Sequence, residues 1–133
     1  MFLDISYEFY KNYRIIKFKF LDKFTEEDFK KFLTVIDTFL KGSEKFCILI
    51  DGLDCKSIHI KYSLILSRWM KERREQIPHN IICSTLSIKN SSASRLIKIA
   101  FSIQKPQNPF KVTNNLEDSI KFIHKNIDNT LLH

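Results

Sequence analysis

Apolar and polar residues alternate strictly at the start of the chain. Leu3, Ile5, Tyr7 and Phe9 are separated by Asp4, Ser6 and Glu8, the period-two pattern of a half-buried strand. The pattern pauses at Lys11-Asn12, where asparagine tolerates the left-handed backbone of a tight hairpin turn. It resumes in "RIIKFKF", with Ile16, Phe18 and Phe20 on one face and Lys17 and Lys19 on the other. These two runs predict an antiparallel hairpin.

The period then changes. In "FTEEDFKKFLTVIDTFLKG", Phe29, Phe32, Leu33, Ile36 and Leu40 recur at helical spacing. Thr25 is placed to cap this helix, and Glu26, Glu27 and Asp28 fill its first turn, where the helix dipole favours negative charge. Gly42 reads as its C-terminal stop. "KFCILID" is a nearly continuous apolar run, as expected of a central strand covered on both faces. A helix over Lys61–Gln76 follows, with Ile58, Tyr62, Ile65, Leu66 and Trp69 on one stripe and Pro78 as its terminator. "HNIICSTLSI" predicts a further strand, and "SSASRLIKIAFSI" a serine-capped helix.

"QKPQNP" reads as a loop and "FKVTN" as a short last strand. Asn114 or Asn115 then caps a closing helix whose Leu116, Ile120, Ile123 and Ile127 share a face, with fraying expected after about Asn129. The order is β-β-α-β-α-β-α-β-α, and strands alternating with helices predict an α/β domain whose sheet is mostly parallel after the first hairpin. The chain has 133 residues, enough for a single domain over residues 1–133 that buries roughly two-thirds of its unfolded surface without a staple.

Charge changes this picture little. The net charge of +7 permits acidic partners, but the basic residues are spread over every element, so nucleic acid is not the expected partner. Three cysteines without paired spacing argue against a secreted disulfide framework. No apolar run reaches the roughly 20 residues that span a bilayer, and the acidic, alternating N-terminus does not suit a signal peptide. An intracellular, cytoplasmic setting is the expectation (the host's cytoplasm for a viral chain).

Candidate chemistry gathers in the loop between "KFCILID" and the following helix, which holds Asp51, Asp54, Cys55, Ser57 and His59. Asp51 ends the central strand, where open α/β sheets bind ligands; its alternative role is to bond free backbone amides of the loop. Cys55 and His59 have the four-residue spacing of metal ligands, but a zinc site shows three or four ligands in recognisable pairs. As a nucleophile and base they lack an orienting group and an oxyanion pocket. Cys47 and Cys83 lie in apolar strands and read as core. No glycine-rich phosphate loop occurs. Neither an enzyme, a metal nor a cofactor is expected.

In "RWMKERRE", Arg68, Lys71 and Arg74 are candidates for a basic ridge beside Trp69, but Glu72 and Glu75 dilute it, and the expected reading is an amphipathic helix with Trp69 in the core and the charges in water. Phe18 and Phe20 alternate with lysines like a nucleic-acid stacking platform, a pattern that a sheet face buried under helices also produces. They are read as core.

Two further stretches carry a resemblance. "RIIKFKFLDKFTEEDFKKFL" resembles the second strand and acidic helix start, and "FKVTNNLEDSIKFI" the last strand and closing helix, of the STAS-like domains, in particular the SpoIIAA-like branch of small stand-alone proteins. The resemblance implies a SpoIIAA-like mixed sheet and a non-enzymatic regulatory module acting through a protein partner. It implies a binding surface over Asp51–Ile60 and the exposed face of Lys61–Gln76, comprising Asp51, Asp54, Cys55, Ser57, His59, Lys61, Arg68 and Lys71. Phosphorylation-switched members carry an Asp-Ser pair and a glycine after the central strand. Here "CKSIHIKYS" has neither, and Ser57 and then Ser63 are the nearest hydroxyls. The alternative expectation, since relatives of this fold include lipid-binding domains, is a small apolar or anionic, lipid-like ligand. A homodimer through a sheet edge or a helix is also open.

Overall fold

In the computed structural model, which describes residues 1–89, Arg95, Ile97, Lys98 and 108–132, Lys11 and Asn12 both take the left-handed backbone, with φ of 49° and 72°. This two-residue turn matches the twist of the strands it joins. It pairs β1 (Leu3–Tyr10) with β2 (Tyr13–Phe20) antiparallel, from Tyr10 opposite Tyr13 to Leu3 opposite Phe20. The remaining strands, β3 (Phe46–Asp51), β4 (Ile81–Ser87) and β5 (Phe110–Thr113), are parallel to β2, and the sheet runs β1-β2-β3-β4-β5.

Four helices have both ends among the described residues: α1 (Glu26–Leu40), α2 (Lys61–Glu72), α3 (Ile77–Asn80) and α4 (Leu116–Leu131). The start of α1 is a capping box. The Asp28 amide donates to Thr25 Oγ1 (3.2 Å), while Asp28 Oδ2 accepts from the Thr25 amide (2.9 Å) and the Phe2 amide (3.3 Å). These bonds to its charged form hold the Asp28 carboxyl below its usual range. Asn115 caps α4 by accepting from the Asp118 amide at 2.8 Å.

The two faces of the sheet have separate cores. Ile16, Phe18, Phe20, Phe46 and Ile48 pack against α1 and α2, with Phe32 set edge-on to both Phe18 and Phe20. Ile15, Cys47, Leu49 and Cys83 pack on the other face against Ile123 and Ile127 of α4. Each fully buried side chain of this kind contributes about 2 kcal/mol.

Several boundaries differ from the sequence reading. Helix α1 ends at Leu40, just before Gly42 as read, but Gly42 takes no left-handed conformation; its amide closes a tight turn on Phe39 O (3.1 Å). Helix α2 ends at Glu72, not Gln76, and Pro78 sits in the first turn of α3, where a missing N–H costs nothing. In α4, Ser119 is wholly buried and Ile120 is 37% exposed, so the inward stripe runs through the serine. Helix α4 runs to Leu131, and the Leu132 amide donates to Asn129 O. The helix expected in "SSASRLIKIAFSI" falls outside the described residues except at Arg95, Ile97 and Lys98, which are helical.

Candidate functional site

The loop after β3 is held by its own polar groups. Asp51 is buried and accepts the Leu53 amide at 3.1 Å, the turn-capping role rather than one in a cleft. The Gly52 amide donates to Ser87 O at 2.8 Å, and a Cβ at this position would crowd Ile88 Cγ2 at 3.0 Å, just past the end of β4. Asp54 is exposed and faces Lys19 at 3.7 Å. The Cys55 thiol is buried beneath the loop, donating to Phe20 O (3.5 Å) and Leu21 O (3.8 Å). Burial, followed by the carboxylates of Asp22, Asp54 and Asp51, pushes its pKa up to about 11. The thiol is therefore protonated at neutral pH, the opposite of an activated nucleophile or ligand.

His59 lies on the outside of the loop, its Nδ1 accepting the Lys61 amide at 3.0 Å. The Cys55 thiol and the His59 imidazole are thus each engaged with backbone, one beneath the loop and one on its surface. Ser57 is exposed. Among the described residues no three His, Cys, Asp or Glu side chains converge as metal ligands. Cys47 and Cys83 are fully buried on adjacent strands, their sulfurs 3.7 Å apart.

What the structure does assemble at this end of the sheet is an apolar cavity of about 80 Å³. Phe24 and Phe29 form its wall at the start of α1, Ile58, Tyr62 and Leu66 its wall at α2, and Ile50, Leu86, Ile88 and Phe110 its floor. Burial, with Glu26 and Asp28 nearby, raises the Tyr62 phenol, so the ring enters the site neutral. The volume is roughly half that of an engineered cavity that holds benzene. Twelve phenylalanines in the sequence are the only signal that announced it, and which of them meet depends on the strand register.

The outer arc of α2 carries Ile60, Lys61, Leu64, Arg68 and Lys71, all exposed. Lys61 approaches Glu26 at 3.8 Å. Trp69 points inward, as read from the sequence. Arg73, absent from that reading, anchors the helix: its Nε and Nη2 donate to Asp37 of α1, the latter at 2.9 Å, and Trp69 Nε1 donates to the same carboxylate at 3.1 Å. The Arg73 guanidinium also lies 5.0 Å from the Trp69 ring centroid. The partners are 36 residues apart, and no local spacing links them. At the far end of the sheet Tyr10 stacks on His124, and Asp128 bonds Lys11 (2.7 Å) and the Tyr10 hydroxyl, joining the hairpin tip to α4.

An antiparallel hairpin, parallel β-α units and a closing helix on the opposite face define an α/β protein with a SpoIIAA-like fold, the class expected from the sequence. A solved relative in architecture is the crystal structure of an uncharacterized protein from the DUF3478 family with a SpoIIAA-like fold, from Shewanella loihica PV-4. The match covers 90% of this chain and 92% of that one, with a TM-score of 0.63 and 14% identity, a likeness of fold. No protein-family model matches the chain, and no curated protein matches it in sequence. No helix among the described residues is long and apolar enough to cross a membrane.

Proposed function

We propose that the protein is a binding module without catalytic activity, and that its ligand is a small apolar molecule or the end of an apolar chain. The observation that supports this reading is the cavity between α1, α2 and the ends of β3 and β4, walled by aromatic and aliphatic side chains. At about 80 Å³ it accommodates roughly three or four carbon atoms by comparison with the benzene-sized case. A longer chain would extend past α2.

The test is thermal unfolding with 1-butanol, 1-hexanol and benzene as probes, alongside native mass spectrometry of the untreated protein. A bound probe raises the midpoint, since a ligand at about 100 times its Kd stabilises by about 2.7 kcal/mol. Leu66→Phe, which fills the cavity, abolishes the rise. A midpoint indifferent to every probe, with a native mass equal to that of the sequence, would sink the reading.

A second reading is docking of a protein partner on α2, favoured by Ile60 and Leu64, which are 49% and 52% exposed beside Lys61, Arg68 and Lys71. Combined charge reversal at these three positions abolishes capture of such a partner. Unchanged capture removes this reading and leaves the cavity untouched.

A further inference from the structure

β1 is the edge of the sheet, and among the described residues its outer side pairs with nothing. The even-numbered residues of β1 turn their backbone groups toward β2. The Leu21 amide donates to Phe2 O at 2.9 Å, and Tyr10 opposite Tyr13 closes a two-residue hairpin loop as a hydrogen-bonded pair. Leu3, Ile5, Tyr7 and Phe9 therefore present their N–H and C=O groups to the free edge. Their side chains lie on the α1 face, where Tyr7 is 50% and Phe9 63% exposed. The Arg14 guanidinium stands 5.2 Å from the Phe9 ring centroid and 6.0 Å from that of Tyr7. The strand has eight residues and contains no proline, no lysine and no register shift, three of the devices that ordinarily blunt an edge; its charges are Asp4 and Glu8.

We propose that this edge pairs antiparallel with β1 of a second copy, in the register that sets Tyr7 opposite Tyr7. A two-fold axis perpendicular to the sheet keeps paired residues on one face, so the pairing must be centred on a residue. Centred on Ser6, it sets Asp4 against Glu8 of the second copy at both ends, and like charges directly opposite are destabilising. Centred on Ile5, it leaves Phe9 facing only Met1. Centred on Tyr7, it sets Ile5 against Phe9 of the second copy and covers the exposed aromatics. The same register places Glu8 of the second copy opposite Ser6, whose partner on β2 is Lys17, so the carboxylate arrives beside a cation. Three backbone-bonded pairs supply about six main-chain hydrogen bonds and join two five-stranded sheets into one. The inference is independent of the cavity.

The experiment is sedimentation velocity and native mass spectrometry of the full chain from about 1 µM to about 0.2 mM. A monomer–dimer equilibrium is expected in that range. Ser6→Glu sets two glutamates opposite Glu8 residues and weakens the dimer about tenfold. It leaves the monomer folded, since position 6 is exposed and faces Lys17. Adding Glu8→Lys to Ser6→Glu restores the dimer in this register. Tyr7→Pro removes an N–H that faces the free edge, without touching the β2 ladder, and gives a monomer with unchanged circular dichroism. A monomer at every concentration overturns the proposal. So does a dimer indifferent to Tyr7→Pro, or one that the Ser6→Glu, Glu8→Lys pair fails to restore.

Discussion

Removing the Asp37 carboxylate tests what fixes α2 against α1. It accepts the Trp69 indole N–H and two N–H groups of Arg73, and the two charged side chains are 29% and 24% exposed. A hydrogen bond to a charged group contributes about 1.5–3 kcal/mol when buried. The partial exposure screens the ionic part toward the lower end of that range. Asp37→Ala also leaves the indole N–H of the buried Trp69 without its acceptor, so the net cost is about 2 kcal/mol. Trp69 is the only tryptophan, so its fluorescence reports urea unfolding directly. With a slope of about 2 kcal/mol/M, the midpoint falls by about 1 M. Arg73→Ala costs a similar amount, and the double variant costs less than the sum, with a coupling of about 1 kcal/mol or more. A midpoint shift below about 0.3 M, or strictly additive variants, refutes the assignment of this cluster as the tie between the helices.

Three further outcomes follow from buried polar groups. Ser119 Oγ bonds Ser87 Oγ (2.8 Å) and Thr113 Oγ1 (2.7 Å) where β4, β5 and α4 meet; Ser119→Ala costs about 1–3 kcal/mol in chemical denaturation, and a change within error dismisses the triad as a structural tie. Because the folded pKa of Asp28 is depressed below 3.8, its contribution is complete above that pH and is lost as pH falls through the lower folded value. Asp28→Asn therefore lowers stability at neutral pH by about 1 kcal/mol and flattens the acid limb of the stability profile; an unchanged limb contradicts the capping role. Cys55, with a folded pKa of about 11 against 9.0, holds about a hundredfold less thiolate at pH 8 than an ordinary thiol. Its stability contribution is complete below pH 9.0 and is lost as pH rises toward 11. All three free cysteines resist Ellman's reagent until the chain is unfolded, and rapid labelling of the native protein would falsify the burial argument.

Local physics made the fold legible. The β1–β2 turn, the Thr25 and Asn115 caps and the apolar run of β3 are decided within a few residues, so period and capping chemistry found them. Phe18 and Phe20 read correctly as core because their alternation with Lys17 and Lys19 is that of a strand segment with one face buried under helices. What failed depended on partners distant in sequence. Ser119 displaces Ile120 from the inward stripe of α4 because Ser87 and Thr113 offer it hydroxyls at the ends of β4 and β5, and hydropathy alone would choose the isoleucine. Tyr7 and Phe9 alternate as a half-buried strand should, yet remain exposed because they lie on the sheet's free edge.

The polar residues of the Asp51–His59 loop were legible as a group but not as a purpose. Asp51 and Cys55 are each satisfied by backbone groups, so the loop spends its chemistry on shaping one wall of an apolar space. Helix α2, which supplies another wall, is held differently at its two ends. Its C-terminal end is tied to α1 by Asp37, Trp69 and Arg73. Its N-terminal end is held by the His59 Nδ1 bond to the Lys61 amide, by the Tyr62 ring packed 5.0 Å from that of Phe29 in α1, and by the exposed Lys61–Glu26 pair, a kind of contact worth at most about 1 kcal/mol. The end of α2 that lines the cavity is thus held through Tyr62, itself a wall residue, and a ligand longer than the cavity would displace that end. Such a displacement carries Ile60 and Leu64 with it, so the apolar site and the exposed face of α2 are mechanically one element rather than competing accounts of the molecule.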